Sequence, residues 1–392
     1  MQKTIIALTI LLVVGVVVYF TSLRDTLRKN RVADLVAENG EKTTNDTVEP
    51  LNDGNLNPIS GLACENWNRR PIGVMQPADV QARPAAGFSE ADMVFELPAY
   101  TSSVTRLLGV YSCSIPKEIG AMRSARHDHI ALAAGVDAFF IHWGGSHFAL
   151  DLLNKNVTDH IDCMNTNYCE RWDWQNDPVM RMEDSGHITA ENAVKAMEEK
   201  GSHTETKFVG YPHQKEADLE NRGNNGGELR VAFASPYDVG YTYDKESNSY
   251  LRSWDGTADT DRNDGTRLAP KNIVVMFAKS EQITLNQDYV GKGLQDPWDG
   301  VEEIKKTGVE SISGRYNNVQ IGDPWYDDSG SGEAYYYMNG KEYKGTWKKD
   351  SSKIDSKLFF YDENGKEIMF IPGQIWVEIL EPGQVLRWTP GA

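Results

Sequence analysis

Apolar residues run without a charge from Ile5 to Phe20, give way to a polar stretch from Arg24 to Asn57, and then return in short bursts. Extended through Leu23, the first run is about long enough for a ~30 Å bilayer at ~1.5 Å per residue. Lys3 precedes it, Arg24, Arg28, Lys29 and Arg31 follow it, and no small-residue cleavage site intervenes, which predicts an uncleaved signal anchor over residues 1–23. Basic residues on the C-terminal flank favour the opposite orientation by the positive-inside rule, so an outward-facing soluble part rests on the stalk and the cysteines further along the chain. Residues 24–57, rich in Asn, Thr, Asp and Glu, bury too little to offset their ordering entropy and predict a flexible stalk.

From Pro58 onward the apolar bursts alternate between two periods. Pro71 to Met75, Asp92 to Leu97, Val104 to Ser112 and Ala138 to His142 predict buried strands. Between and after them, 125–134 with Ser124 as N-cap and Gly135 as stop, 147–155 capped by Ser146, and 189–200 capped by Thr189 predict helices. This alternation predicts an N-terminal α/β sandwich domain over 58–205. Beyond a Gly- and Asn-rich connection the pattern becomes β throughout. It predicts strands at 230–235, 240–244, 249–254, 272–278, 310–313, 333–338, 344–348, 358–361, 368–371 and 375–379, several joined at turns such as Asn339-Gly340 and Pro372-Gly373. The second domain, 206–392, is therefore expected to be β-rich and mainly antiparallel, and the whole fold α+β.

Length and charge narrow the partners. At 392 residues the chain exceeds one ordinary core, in keeping with two domains. The net charge of -17 repels phosphate backbones over the surface as a whole and excludes nucleic acid as an expected partner. The four cysteines, Cys64, Cys113, Cys163 and Cys169, lie in the first half of the soluble part. Cys163 and Cys169 enclose a short polar loop suited to a local disulfide, leaving Cys64 with Cys113; the alternative is four reduced thiols.

Candidate chemistry gathers between Thr105 and Ser146. Arg123 and Arg126 flank the predicted helix N-terminus, where cations are unfavourable unless an anion sits between them, and Arg106 on the neighbouring strand offers a third fork. The alternative is that these arginines are braced by Asp92, Glu96 or Asp128; Glu96, inside an apolar strand, needs a partner either way. His142-Trp-Gly-Gly-Ser146 follows a buried strand, so Gly144, Gly145 and Ser146 can approach a ligand closely. Ser146 as a nucleophile with His142 or His187 as base is the catalytic alternative, although Phe148 stands where a nucleophile elbow has glycine. His127 and His129 lie two apart on a helix and point away from each other, and Asp259 to Gly265 lacks the spacing of a calcium loop, so neither metal nor cofactor is expected.

The order of these pieces resembles the bacterial DUF3048 family over nearly all of the chain after the stalk. Arg70-Pro-Ile-Gly-Val-Met75, Ala82-Arg-Pro84, Ala91-Asp-Met-Val-Phe-Glu96, Thr105-Arg-Leu-Leu108, Ile119-Gly120 with Arg123-Ser-Ala-Arg126, and His142 with Gly144-Gly-Ser146 carry it in the first half. In the second half Tyr241 to Asp244, Tyr250-Leu-Arg252, Asp261, Asn272-Ile-Val-Val275, Gly345-Thr-Trp347 and Pro372-Gly-Gln-Ile-Trp376 carry it. The chain departs from the family pattern at Gln76-Pro-Ala78, at Tyr100-Thr-Ser-Ser103, around His187, and in having an N-terminal apolar run in place of a lipid-anchor cysteine. The resemblance implies an exported, membrane-anchored two-domain protein and implies no reaction. The expected function is a single-pass, extracytoplasmic envelope protein that binds an anionic small molecule or envelope glycopolymer through Arg106, Arg123, Arg126, Glu96 and the Gly144 to Ser146 turn. An envelope hydrolase or phosphoryl-group transferase in the same cleft, and a scaffold binding another protein, are the alternatives.

Overall fold

The structure, a computed structural model, describes residues 51, 54–100, 104–282 and 317–392. The expected signal anchor, nearly all of the stalk and the strand expected at 310–313 lie outside the described residues. Among the described residues no helix is long and apolar enough to cross a membrane.

Ten strands form one sheet in the order β18 (Phe359–Asp362), β17 (Lys341–Lys348), β16 (Ser331–Met338), β13 (Asn272–Phe277), β19 (Ile375–Leu380), β2 (Met93–Pro98), β3 (Thr105–Tyr111), β1 (Ile72–Pro77), β5 (Phe139–His142) and β6 (His160–Asp162). The two sequence halves on either side of 205/206 thus share one sheet, because β19 pairs in parallel with both β13 and β2. That pairing also makes the second half less uniformly antiparallel than its turns predict. A five-stranded antiparallel sheet follows the order β12 (Thr257–Ala258), β11 (Ser249–Trp254), β10 (Asp238–Asp244), β9 (Glu228–Ala232) and β20 (Val385–Thr389). Two smaller sheets comprise β4 (Glu118–Gly120), β8 (Gly186–Thr189) and β7 (Cys169–Arg171), and β14 (Ser280–Gln282) with β15 (Asn317–Val319).

The large sheet is covered on both faces, which is why its central strands β19, β2, β3 and β1 are buried at every position rather than alternately exposed. Successive side chains of a strand point to opposite faces. Val274, Met276, Val377, Ile379, Phe95 and Leu108 pack with helices α1 (His127–Gly135) and α2 (His147–Asn154) in one apolar cluster. Ile273, Val275, Trp376, Val94 and Leu107 pack with the five-stranded sheet and with α3 (Ala190–Glu199) in another. The result is β-rich with few helices. The caps expected for the second and third helices are present: Ser146 Oγ accepts from Ala149 N–H at 3.3 Å and Thr189 Oγ1 from Asn192 N–H at 3.2 Å.

Two covalent ties link loops on this frame, Cys64 to Cys113 with Cα atoms 5.8 Å apart and Cys163 to Cys169 at 5.6 Å, as the spacing predicts. The expected strand at 368–371 is not formed; Phe370 makes only a single bridge, to His213.

Candidate functional site

Ser124 is not the N-cap of α1. The segment before the helix stays extended because it is stitched to its neighbours: Arg123 N–H donates to Met75 O at 2.9 Å, Ala125 N–H to Gly144 O at 2.9 Å, and Ser146 N–H to Ala125 O at 3.1 Å. The helix therefore starts at His127 with Arg126 as cap residue, and no side chain caps it. This threading sets Arg123 and Arg126 beside the 143–146 turn, as the sequence leads one to expect.

Arg106 and Arg123 come together at Asp79, with the charge of Arg126 acting on Arg106. Arg106 Nη1 lies 3.4 Å from Asp79 Oδ2, and Arg123 Nη2 lies 3.8 Å from the same oxygen and 2.6 Å from Asp184 Oδ1. Tyr237 Oη donates to Asp79 Oδ1 at 3.2 Å. Arg126 has a different set of partners. Its Nη1 donates to Ala125 O at 3.0 Å and its Nη2 to Tyr100 Oη at 3.0 Å, with the guanidinium 5.4 Å from the Tyr100 ring centroid. Among the described residues no carboxylate forms an ion pair with it.

Arg106 and Arg126 are 6% and 7% exposed, and the Nε atoms of all three arginines are buried without an acceptor. Burial first, and then the neighbouring charge of Arg126, lowers Arg106 to about 10. Like charges in a poorly hydrated place repel one another, and Asp79 and Asp184 offset part of that repulsion.

Glu96 does not belong to this group. It faces the other side of β2 and is fully buried, with Oε2 2.5 Å from Arg252 Nη2 and Oε1 accepting from Thr105 Oγ1 at 2.6 Å. Arg252 also pairs with Asp259, which in turn meets Arg83 at 2.5 Å. Glu378, the register neighbour of Glu96 on β19, accepts from the Tyr241 hydroxyl, and burial and then the adjacent Glu96 push its carboxyl well above the usual range. A neutral Glu378 leaves two carboxylates and two guanidiniums, a balanced network that joins the two sheets.

The glycine turn is also spoken for. Trp143 N–H donates to Arg123 O at 3.1 Å and Gly144 N–H to Asp162 Oδ1 at 2.7 Å, so with Ser146 N–H three of its amides serve the fold. Gly144, at φ +68°, and Gly145 allow this close pass, since a Cβ on them would meet Met164 Sδ at 2.8 Å and Leu150 Cδ2 at 3.0 Å. His142 Nδ1 bonds to Gly144 O at 2.8 Å and its Nε2 to His160 Nδ1 at 3.1 Å, and burial lowers its pKa. His187 stacks on Trp172 with centroids 4.9 Å apart. Ser146, His142 and His187 thus form no hydrogen bond with one another, and a nucleophile needs such a link to its base.

His127 and His129, the tempting metal pair, turn to separate partners, Asn318 Oδ1 at 3.0 Å and Arg106 O at 3.4 Å. Asp261 and Asp264 instead form turns, Asp261 accepting from Asn263 N–H at 2.9 Å and Asp264 from Thr266 N–H at 2.8 Å. Sequence reasoning missed Asp79, Tyr100, Asp184 and Tyr237. Asp79 and Asp184 carried a signal in being acids close to strand ends, but Tyr237 arrives from the second half and had none.

The architecture defines a class: a disulfide-bonded, β-rich protein built on one mixed sheet that runs through both halves of the chain. Profile comparison matches residues 59–202 to the "Protein of unknown function (DUF3048) N-terminal domain" and residues 229–296 and 304–377 to its C-terminal domain. The chain belongs to the DUF3048 family. It is 26% identical to the "Putative lipoprotein YerB" of Bacillus subtilis (strain 168), over 82% of this chain and 85% of that one. The crystal structure of the Bacillus subtilis YerB protein superposes with a TM-score of 0.63 at 24% identity, covering 83% of this chain and 96% of that one, and supports the fold.

Proposed function

We infer that the protein is an extracytoplasmic, membrane-attached envelope protein that binds an anionic ligand between Arg106, Arg123 and Arg126. The observation that carries the binding site is Arg126, a guanidinium 7% exposed whose partners are backbone carbonyls and a phenol rather than an acid. A buried cation without a counter-charge is costly, and an incoming carboxylate or phosphate supplies it with the fork geometry arginine favours. Attachment is supported by the apolar run at 5–20, by the lipoprotein named among its relatives and by two disulfides. Residues 1–23 would anchor it as a single pass, with 24–57 as stalk.

Arg126→Ala tests the site. It strands no acid, because Glu96 already has Arg252, so thermal stability should stay nearly unchanged while retention on an anionic envelope-glycopolymer column falls at least tenfold. Equal retention of both proteins would refute the site. Protease added to intact protoplasts should remove the soluble part; full protection would refute the topology.

A further inference from the structure

We propose that the open edge of β20 is a docking site for an extended basic segment of another protein, which adds to the five-stranded sheet as a further strand. The surface shares no residue with the arginine site and stands independently of it.

The edge is unpaired and lies beside an uncovered shelf. β20 pairs with β9 on one side, and among the described residues no strand pairs with its other side. It runs in unbroken register with β9 from Val385 to Thr389, without a bulge or a proline, so the devices that blunt an edge are few. Such an edge presents free N–H and C=O groups on which an extended peptide can add. A cavity of about 330 Å³ adjoins it, and none of the lining residues comes from β9, which places the cavity on the unpaired side. Leu386 and Trp388 of β20 form its wall, and its floor is the large sheet continuing past β20, with Phe277 from β13 and Tyr335 from β16. A strand laid ~4.8 Å beyond β20 directs alternate side chains onto that floor.

Charge selects the occupant. Glu333 and Glu342 also line the cavity, and their described partners are phenols: Tyr335 Oη donates to Glu333 Oε1 at 2.5 Å and Tyr337 Oη to Glu342 Oε2 at 2.8 Å. Among the described residues no cation forms an ion pair with either acid. Lys344 comes near the Tyr335 ring, 5.7 Å from its centroid, without pairing with them. An arginine or lysine reaching in meets two carboxylates among aromatic side chains, the setting that favours a cation. An acidic segment is repelled there. So is a second copy of a chain of net charge -17, whose own β20 would offer Leu386 and Trp388 to the floor in place of a cation.

Fluorescence anisotropy with a labelled heptapeptide of alternating arginine and valine, on the full chain in nonionic detergent micelles at fixed ionic strength, tests the site together with hydrogen exchange at 385–389. The peptide should bind about tenfold or more tightly than one of alternating glutamate and valine, and should slow exchange of those amides about tenfold or more. Glu333→Gln with Glu342→Gln keeps the oxygens that Tyr335 and Tyr337 use, so the fold is retained while peptide affinity falls about tenfold or more. Glu220→Gln with Glu363→Gln removes the same charge from exposed positions elsewhere and should leave affinity within about threefold. Equal losses in the two double variants would mean diffuse attraction to an acidic surface and overturn the site, as would failure to bind. Binding without slowed exchange at 385–389 overturns strand addition. A dimeric chain whose 385–389 amides are already slow before peptide is added assigns the edge to a second copy and overturns the proposed partner.

Discussion

Replacing Arg252 with Met isolates the network that joins the two sheets. The guanidinium is fully buried, 2.5 Å from Glu96, paired with Asp259 and 4.5 Å from the Trp376 ring centroid. Methionine keeps an unbranched apolar stem of similar reach, so the change removes charge more than volume. Asp259 retains Arg83 at 2.5 Å, but Glu96 is left with only the Thr105 hydroxyl at 2.6 Å. The penalty therefore falls on one fully buried carboxylate, and stranding such a group costs about 3–5 kcal/mol. Replacing Glu96 with Gln in the same chain removes the stranded charge and should recover most of that loss. Guanidinium unfolding followed by tryptophan fluorescence measures both, through the midpoint at unchanged slope. A single variant within about 1 kcal/mol of the parent, or a double variant no more stable than the single, would show that Arg252 does not hold Glu96 in place.

Loss of either disulfide should rank by loop length. Serine replacing Cys64 and Cys113, 49 residues apart, should cost about 4 kcal/mol, and replacing Cys163 and Cys169, 6 apart, about 2 kcal/mol. A reversed order in denaturant melts would refute the loop-entropy account. Ser146→Ala should cost only about 1 kcal/mol, the value of a helix cap, because its Oγ serves Ala149 N–H. A loss several times larger would mean that the hydroxyl has another role. Burial holds His127 and His213 down at about 4 and His129 at about 3. Since folded values lie below the unfolded ~6.5, the stability they confer is present above that pH and is lost as the pH falls toward 4 and 3, by up to ~1.4 kcal/mol per unit and histidine. His213→Gln should flatten that slope, and an unchanged pH profile of the unfolding midpoint would refute it.

The elements that could be read from the chain are those with a full period of pattern. β2, β3 and β19 are six or seven buried residues each, β13 has five buried of six, and α3 announces itself by Thr189 and its spacing. β4, β6 and β7 have three residues, too few to show alternation, and β20 is exposed at every other position at a sheet edge. The helix starts later than its sequence suggests because backbone pairing of Ala125 with Gly145 overrides the capping preference of Ser124. The arginine grouping was legible because Arg106, Arg123 and Arg126 lie on neighbouring elements. Glu96 falls outside that group for the opposite reason. Its partner is 156 residues away, although Glu96, Glu378 and Arg252 share a usable signal, a lone charge inside an apolar strand.

The position of β19 governs how the chain can assemble. Its partners β2 and β13 are finished before it: about 280 residues separate Met93 from Ile375 and about 100 separate Asn272 from it, roughly 14–60 s and 5–20 s of synthesis at ~5–20 residues per second. Until then the sheet is an open pair of edges, each apolar and each able to pair with a stranger. A nascent chain of this topology therefore needs those edges shielded throughout elongation. A truncation before Ile375 removes the strand at the middle of the sheet and not a strip at its margin.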